Sequence, residues 1–539
     1  RGIWFDPYYE SIFSNNTCPA GNFYFVDQNH PNASNSWTRE QNDEEHPWKD
    51  AWYGAQQLYP GDVLLIKEGW YYNPNINDVY DCGIKPARSG TSEAPITIKA
   101  YPGHTVNLSG GPSPDTNPNN FINIAIGTTH NVHGRGYDYI IIDGFKIYGM
   151  AALVGTTGSI LKNCEIWGGG SGPGQFGSCV RLERAYNCKI VNNIIHDNVR
   201  ITTENFWNCP LLMEYDSYNC IIENNEFYNS VSDGIRLKDN PNNITIRRNI
   251  FHDNPHMGIS VGGQDGGSNV IIYQNIFMNN HNGVTCVSHV NGTTIFNNVF
   301  YNNTHHISQF YDSIININLY NNILYQGVHY YAIQNLSNFQ TGYNCFYGGV
   351  DWRVNDQNIA YSISEWQSWS QQNGYNFDQN SIADDPLFIN PEAGDFHLRE
   401  NSPCRSAGKD GVNIGTYITG SETIGPLNLS QYIVSENNTC ASMNGTCKGM
   451  PCNEYEDCYP LDGFCSSGYC CYGSCTTSHQ LPGDLNDDGH VNVQDIQLNV
   501  NVILEIENRP DIIARTDVNR DGSVNILDVQ KIVNAVLNA

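Results

Sequence analysis

The sequence lacks long apolar runs and is poor in charge, particularly positive charge. No segment of the 539 residues approaches the length of about 20 apolar residues that a membrane-spanning helix needs. Charged residues make up only 15% of the chain, which argues against intrinsic disorder. Lys and Arg number 27 against 55 Asp and Glu, and the net charge of -28 repels nucleic acids. We therefore expect a folded protein with no membrane span and no nucleic-acid partner.

Cysteine, in contrast, is abundant, with 18 residues in the chain. Eight of them lie within one short region: Cys440, Cys447, Cys452, Cys458, Cys465, Cys470, Cys471 and Cys475. This density predicts a small disulfide-stapled module made in an oxidising compartment, although the spacing leaves the pairing open. The chain begins at Arg1 rather than Met, so we also expect that a signal peptide has been removed. These features favour a secreted protein, extracellular or at the cell surface.

Sequons for N-glycosylation are frequent and agree with secretion. Ten Asn-x-Ser/Thr sequons begin at Asn15, Asn32, Asn107, Asn243, Asn291, Asn302, Asn335, Asn428, Asn437 and Asn444. Chance accounts for several of them in a chain this rich in Asn, and we expect others to carry glycan.

The central part of the chain, from Tyr139 to Gly349, repeats a short phrase. The phrase consists of a short apolar strand, a polar pair rich in Asn, and a second short strand. The second residues after the polar pairs lie 32, 24, 26, 23 and 24 residues apart and are Ile195, Phe227, Phe251, Phe277, Phe300 and Leu324. A near-constant period in this range is typical of a solenoid. We expect these apolar residues to form core columns of a parallel β-helix.

The Asn residues of the polar pairs have a predicted role in the turns. Asn tolerates the left-handed backbone conformation that a tight turn requires. Stacked Asn side chains can also hydrogen-bond from one coil to the next. The strands between the turns alternate inward and outward side chains with period two, which predicts a mainly-β fold.

Segments on both sides of the repeats resemble a known superfamily. Residues 61–72 (GDVLLIKEGWYY) and 89–103 (SGTSEAPITIKAYPG) resemble the opening coils of β-helix proteins in the polysaccharide-lyase-like superfamily. Residues 385–388 (DPLF), 394–398 (GDFHL) and 402–404 (SPC) resemble the closing segment. The resemblance implies a right-handed parallel β-helix (solenoid) with an N-terminal cap over residues 1–420. We assign residues 421–482 to the disulfide-rich module and residues 483–539 to a third domain.

Two twelve-residue loops in the third domain have the spacing of calcium-binding loops. Positions 1, 3, 5, 7, 9 and 12 are Asp484, Asn486, Asp488, His490, Asn492 and Asp495 in the first loop, and Asp517, Asn519, Asp521, Ser523, Asn525 and Asp528 in the second. Gly489 and Gly522 occupy the sharp turn at position 6. Calcium prefers six to eight oxygen ligands, which this spacing supplies, with backbone carbonyls at position 7. We therefore predict two bound Ca²⁺ ions.

The duplicated loops, each ending in Asp and followed by one predicted helix, resemble a dockerin rather than an EF-hand sensor. The apolar spacing predicts these helices over residues 493–505 and 526–537. The resemblance implies a small α-helical domain that binds a cohesin-like partner through its helices. Dockerin recognition positions correspond to Val493-Gln494 and Ile526-Leu527, which are more apolar than the Ser-Thr pairs of cellulosomal types. Docking onto neighbouring copies of the chain is the alternative.

A column of charged residues is the candidate catalytic site. If Val180, Leu211 and Ile235 point inward, the outward residues are Arg181, Glu183, Glu214, Arg236 and Lys238. The column is similar in type to the sites of chondroitinase-B-like and alginate lyases, which need a cation at the uronate carboxylate and a base for the α-proton. That similarity implies calcium at Glu183 and Glu214, Lys238 as the base, and carboxylate binding by Arg181 or Arg236. The alternative is a cross-strand ladder of opposite charges.

Three functions agree with these features. The first is a secreted, N-glycosylated structural subunit of an extracellular or cell-surface assembly, such as a filament, joined through the dockerin-like tail. The second is a polysaccharide lyase or other carbohydrate-active enzyme acting on uronate-containing glycans, although no family catalytic motif is matched. The third is non-catalytic glycan binding by outward Tyr and Trp side chains. We favour the structural role, and the sequence leaves open whether the chain is an enzyme.

Overall fold

The structure is a computed structural model that describes residues 22–73, 82–110, 124–129, 134–170, 177–199, 208–263, 266–309, 315–334, 336–355, 357–420 and 422–426, and the strand residues 464–466 and 469–471. Most of these residues lie in a parallel β-helix with three sheets. Its helices are α1 (Ala51–Gln57) and α2 (Ile363–Gln372), with single 3-10 turns at Leu336–Asn338, Pro391–Ala393 and Lys409–Gly411. No helix within the described ranges has the length and apolar character needed to cross a membrane.

From Val63 to Val354, each coil of the β-helix contributes one strand to each sheet, and neighbouring coils pair in parallel. Sheet I contains β1 (Phe23–Val26), β2 (Val63–Ile66), β5 (Ile96–Ala100), β8 (Ile140–Asp143), β10 (Ile160–Lys162), β13 (Lys189–Val191), β16 (Ile221–Glu223), β19 (Asn242–Arg247), β22 (Gly267–Tyr273), β25 (Val290–Phe296), β28 (Ile315–Tyr320) and β31 (Phe339–Gly342). Sheet II contains β3 (Gly69–Tyr71), β6 (Val106–Ser109), the first part of β9 (Lys146–Thr157), β11 (Glu165–Gly168), β14 (Ile194–His196), β17 (Glu226–Tyr228), β20 (Ile250–His252), β23 (Ile276–Met278), β26 (Val299–Tyr301), β29 (Ile323–Tyr325) and β32 (Cys345–Tyr347).

Sheet III completes each coil and carries the candidate site. It contains β4 (Cys82–Ile84), β7 (Ile124–Gly127), the second part of β9, β12 (Ser178–Tyr186), β15 (Cys209–Glu214), β18 (Ile235–Leu237), β21 (Met257–Val261), β24 (Asn282–Cys286), β27 (His305–Gln309), β30 (Val328–Ile333), β33 (Val350–Val354) and the antiparallel β34 (Gln357–Ala360). Two small sheets pair β35 (Phe388–Asn390) with β36 (Asp395–Leu398), and β37 (Phe464–Ser466) with β38 (Tyr469–Cys471).

A ladder of buried asparagines runs along the corner between sheets I and II. Each Nδ2 donates to the Oδ1 of the next coil at 2.9–3.1 Å, through Asn193, Asn225, Asn249, Asn275, Asn298, Asn322 and Asn344. Each Oδ1 also accepts a backbone N–H, as from Asn249 to Asn275 at 2.9 Å. A shorter ladder of Asn254, Asn280 and Asn303 occupies the corner between sheets II and III. The predicted coil-to-coil stacking of Asn is therefore present.

The residue before each inner asparagine makes the turn. Asn192, Asn224, Asn297 and Asn321 have φ between 51° and 58°, in the left-handed region that Asn tolerates. The predicted turn role of Asn is therefore confirmed, and the structure divides the two predicted roles between the two residues of the pair. The first residue bends the chain, and the second points inward and bonds to the next coil.

The predicted apolar columns form the core. Ile195, Phe227, Phe251, Phe277, Phe300 and Leu324 are at most 1% exposed and belong to one continuous cluster. The four phenylalanine rings stack in sequence with centroids 4.7–5.0 Å apart. This spacing matches the distance of about 4.8 Å between paired strands, so identical rings stack because the coils repeat.

A C-terminal strap, residues 382–420 and 422–426, returns along the outside of sheet II. Its backbone bonds to the coils at both ends, from Phe346 N–H to Ile382 O at 2.9 Å and from Gly425 N–H to Arg248 O at 2.8 Å. Between these points, strap residues Phe388, Phe396, Cys404 and Ile414 bury the outward side chains Ile276, Val299, Ile323 and Cys345. The strap therefore converts part of an outer face into a second core.

Replacement of Asn275 by Ala tests the contribution of the inner ladder. The substitution leaves ladder partners on both neighbouring coils unsatisfied, and we expect a loss of about 3 kcal/mol in the free energy of unfolding. Urea unfolding followed by circular dichroism measures this loss. The control is Asn401→Ala, because Asn401 is exposed and should cost less than about 0.5 kcal/mol. Equal losses in the two variants would contradict a special role for the ladder.

Two fully buried histidines predict sensitivity to acid. Burial lowers the pKa of His306 to about 3, and burial together with His306 holds the pKa of His329 well below its usual value. Below about pH 6.5 the unfolded chain binds protons that the folded chain does not, so stability falls by up to about 1.4 kcal/mol per pH unit per histidine. His329→Phe should reduce the loss of stability between about pH 7 and pH 5. His289→Phe, at an exposed position, should leave it unchanged.

Candidate functional site on sheet III

Three neighbouring strands of sheet III bring the candidate catalytic residues together. Arg181 on β12, Leu212 on β15 and Arg236 on β18 are in register, and Glu183 is in register with Glu214. The flanking residues Val180, Leu211 and Ile235 lie in the core, as predicted. The alternation along each strand therefore directs the charged side chains away from the core.

The charged side chains pair with one another, both within β12 and across neighbouring coils. Arg181 Nη2 lies 3.2 Å from Glu183 Oε2 and also contacts Glu214 Oε1. Arg184 Nη1 lies 2.6 Å from Glu183 Oε1, and Lys238 Nζ lies 2.7 Å from Glu214 Oε2. Each of the four carboxylate oxygens of Glu183 and Glu214 therefore faces a cation.

The network is buried, and charges removed from water require partners, so the loss of one member would leave an uncompensated buried charge. Glu183 is 0% exposed, Glu214 1% and Arg181 5%. Lys238 Nζ also lies 2.8 Å from Asp239 Oδ2. Although burial lowers the pKa of Lys238, the carboxylates of Glu214 and Asp239 outweigh this effect and raise it above the usual value. The Lys238 ammonium is therefore charged at neutral pH and is a poor base.

Arg236 belongs to a second cluster, with two residues that sequence reasoning missed. Its Nε donates to Asp233 Oδ2 at 2.9 Å, and His256 Nδ1 lies 2.6 Å from Asp233 Oδ1. Asp233 is fully buried, and although burial raises its pKa, Arg236 and His256 lower it below the usual value. His256 comes from the next coil and keeps 44% of its side chain exposed. In the sequence, the signal that could have indicated Asp233 as a partner of Arg236 is its position three residues earlier.

The remaining predicted site residues are distributed between described and undescribed parts of the chain. Sequon residues Asn32, Asn243, Asn291 and Asn302 are exposed, and Asn107 is half-buried. The other five sequons, both calcium loops and the eight clustered cysteine side chains lie outside the described residues. These site assignments stay predictions.

Family models match two regions of the chain, one within the β-helix and one near the C-terminus. Residues 204–382 match the family of the right handed beta helix region, and residues 482–537 match the dockerin type I domain. The chain is a right-handed β-helix with a C-terminal dockerin. The predicted fold and resemblance are therefore confirmed, whereas the disulfide-rich module between the two domains stays a prediction.

The dockerin match bears on the predicted calcium sites. Dockerin type I domains bind calcium and cohesin partners. The two predicted ligand sets supply Asp and Asn side-chain oxygens, which are hard donors suited to Ca²⁺. The donor chemistry therefore fits calcium, and two ions are what the duplicated spacing predicts.

The solved structures that resemble the β-helix differ in function. Pectate lyase Pel9A is 13% identical, with a TM-score of 0.47 over 74% of this chain and 97% of that chain. A rhamnogalacturonan lyase is 15% identical, with a TM-score of 0.41 over 75% of this chain and 99% of that chain. PfbA, a surface adhesin of Streptococcus pneumoniae, is 14% identical, with a TM-score of 0.39 over 55% and 79%. No curated protein matches the sequence significantly. These likenesses concern the fold alone.

Replacement of Glu214 by Ala tests whether the charged column holds the coils together. The substitution leaves Arg181 and Lys238 without a shared buried carboxylate, and we expect a loss of about 3 kcal/mol in the free energy of unfolding. Glu400→Ala is the control, because Glu400 is exposed. Thermal and urea unfolding measure both variants. A Glu214→Ala protein as stable as the control would argue against the structural ladder.

Proposed function

We propose that this chain is a secreted, N-glycosylated structural subunit of an extracellular or cell-surface assembly. In this proposal the β-helix is a rigid rod, and the calcium-loaded dockerin attaches it to a cohesin-like domain. Attachment to the body of a neighbouring copy is the alternative mode, which propagates as a filament unless the rotation closes a ring.

The pairing within the charged column carries this proposal. A lyase role requires Glu183 and Glu214 to hold a cation for the substrate and Lys238 to accept a proton. All four carboxylate oxygens already face Arg181, Arg184 or Lys238, and Lys238 is protonated between two carboxylates. The contacts of Glu214 with Arg181 and Lys238 join neighbouring coils, and those of Glu183 lie along one strand, so both carboxylates serve a structural role.

The regularity of the β-helix supports a rod. The twelve strands of sheet I, spaced at about 4.8 Å, give a stack of about 50 Å. The inner asparagines bond seven consecutive coils to one another, and the strap adds a second apolar cluster along the outside. A stack with bonds from every coil to the next resists bending, which is the property that an assembly subunit needs.

A second candidate function, action on a polysaccharide, rests on one observation. His256 contacts the buried carboxylate of Asp233 through Nδ1 and keeps its side chain half-exposed. A histidine oriented by a carboxylate is an arrangement used for general acid–base catalysis. In this candidate function His256, rather than Lys238, is the base. Alginate and polygalacturonate are the first substrates to assay, with His256→Ala as the inactive variant.

Electron microscopy of the full chain with and without a calcium chelator tests the structural proposal. We expect assemblies, formed alone or with a cohesin domain, that dissociate on chelation. The double variant Asp484→Ala/Asp517→Ala should abolish assembly and lower cohesin affinity by at least about 100-fold, since it removes the first ligand of both loops. Asp511→Ala, outside both loops, is the control.

Other outcomes separate the candidate functions. Assembly that survives exhaustive chelation would overturn the docking role of the dockerin. Dispersed monomers that cleave alginate or polygalacturonate, with loss of activity in His256→Ala, would favour the enzyme and overturn the structural proposal.

A further inference from the structure

Two cysteines from distant parts of the chain meet between the strap and sheet II. Cys345 begins β32, and Cys404 lies in a turn of the strap, 59 residues later in the sequence. Both are thiols in this structure and both are 0% exposed. They belong to the outer cluster formed by the strap rather than to the main core. The Cys345 side chain therefore faces the strap.

Backbone hydrogen bonds hold both cysteines in place. Next to Cys345, Phe346 N–H donates to Ile382 O and Ile382 N–H donates to Asn344 O, each at 2.9 Å. On the strap, Ile414 N–H donates to Cys404 O at 2.8 Å. The Cys345 thiol donates to Asp384 O at 3.3 Å, and both thiols lie in the same buried cluster, where Cys404 raises the pKa of Cys345. The fold thus delivers two sulfur atoms to one buried point.

We propose that Cys345 and Cys404 form a disulfide that fastens the strap to the β-helix. The bond joins the two Sγ atoms and breaks two S–H bonds. A disulfide oxidant, such as glutathione disulfide or an oxidised dithiol enzyme, accepts the two electrons and two protons as its own S–S bond becomes two thiols. The oxidising compartment predicted from the cysteine-rich module supplies such oxidants.

The timing of the reaction follows from burial. Contact with Cys404 and burial raise the pKa of the Cys345 thiol well above its usual value. Because the thiolate is the reactive form, the folded and buried pair reacts slowly. The disulfide therefore forms during folding, before the strap closes over sheet II. Once buried, the bond is shielded from reductants.

A second pair of touching thiols provides an internal comparison. Cys188 and Cys220 also contact each other, inside the main core. They precede Lys189 and Ile221, which are in register on parallel strands. Side chains at such positions project in parallel about 4.8 Å apart, whereas a disulfide needs Cβ atoms about 3.8 Å apart. Cys404 approaches from a turn and is free of this restriction. Of these two pairs, we therefore expect only Cys345 and Cys404 to oxidise.

The position of the bond has a mechanical consequence. In the sequence, the strap lies between the coils and the dockerin, so tension on a docked chain reaches the β-helix through the strap. A Cys345–Cys404 disulfide transfers that tension directly to β32. This consequence rests on the proposed function, whereas the disulfide itself does not, and disulfide mapping tests it separately from cohesin binding.

Disulfide mapping of the full chain tests the proposal. The protein is secreted from an oxidising host and denatured in the presence of N-ethylmaleimide, which alkylates free thiols. It is then digested without reductant by trypsin and chymotrypsin. Trypsin releases Cys404 in the peptide of residues 400–405 (ENSPCR). We expect mass spectrometry to find this peptide linked to the Cys345 peptide, with Cys188, Cys220 and Cys286 alkylated. Alkylation of both Cys345 and Cys404, or a Cys188–Cys220 link in their place, would overturn the proposal.

A melting experiment gives an independent measurement. Parent protein folded in the presence of reductant, so that the bond never forms, should melt roughly 5 °C below the oxidised parent, because the bond closes a long loop in a large domain. Cys404→Ser should melt at the reduced value and lose its response to reductant. Cys286→Ser replaces a buried thiol for which we predict no disulfide partner, and it should keep the response of the melting temperature to reductant. A Cys404→Ser protein that still responds as the parent does would also overturn the proposal.

Discussion

Seven consecutive coils of this β-helix place a carboxamide at the same inner corner, and the register of their strands depends on it. A carboxamide both donates and accepts, so identical Asn side chains satisfy one another when the coils are in register. A coil shifted by one residue would leave buried donors and acceptors unsatisfied on both sides. The ladder from Asn193 to Asn344 therefore fixes the register, and the phenylalanine stack follows from it.

The same register places charged side chains on the outer faces of neighbouring coils next to one another. Side chains of opposite sign on neighbouring coils come within ion-pair distance, as Lys99 and Asp143 do at 2.9 Å and Glu223 and Arg247 do at 2.8 Å. The column of Arg181, Glu183 and Glu214 is a more deeply buried case of the same arrangement. Charged residues in this fold therefore hold neighbouring coils together. At a corner or in a loop a charged side chain can instead reach solvent, as half-exposed His256 does.

The strap changes the character of sheet II. Apolar residues such as Val299 and Ile323 face outward, where the β-helix alone would expose them to water. Burial under Phe396 and Ile414 turns this exposed face into a second core that runs along the coils. The strap also brings Cys404 to Cys345, so the closing segment contributes both packing and chemistry.

The sequence by itself determined the β-helix, its core columns, the Asn turns and the dockerin, because each depends on local spacing that repeats along the chain. Residues 204–382 and 482–537 match families that agree with those predictions. Only the tertiary structure decided the state of Glu183, Glu214 and Lys238, since Glu214 pairs with Arg181 and Lys238 of neighbouring coils and Glu183 is buried between Arg181 and Arg184 of its own strand. It also joined Asp233 to His256 and brought Cys345 and Cys404 into one buried cluster. Those contacts depend on how coils and strap pack, and a pattern of spacing along one chain does not contain that information.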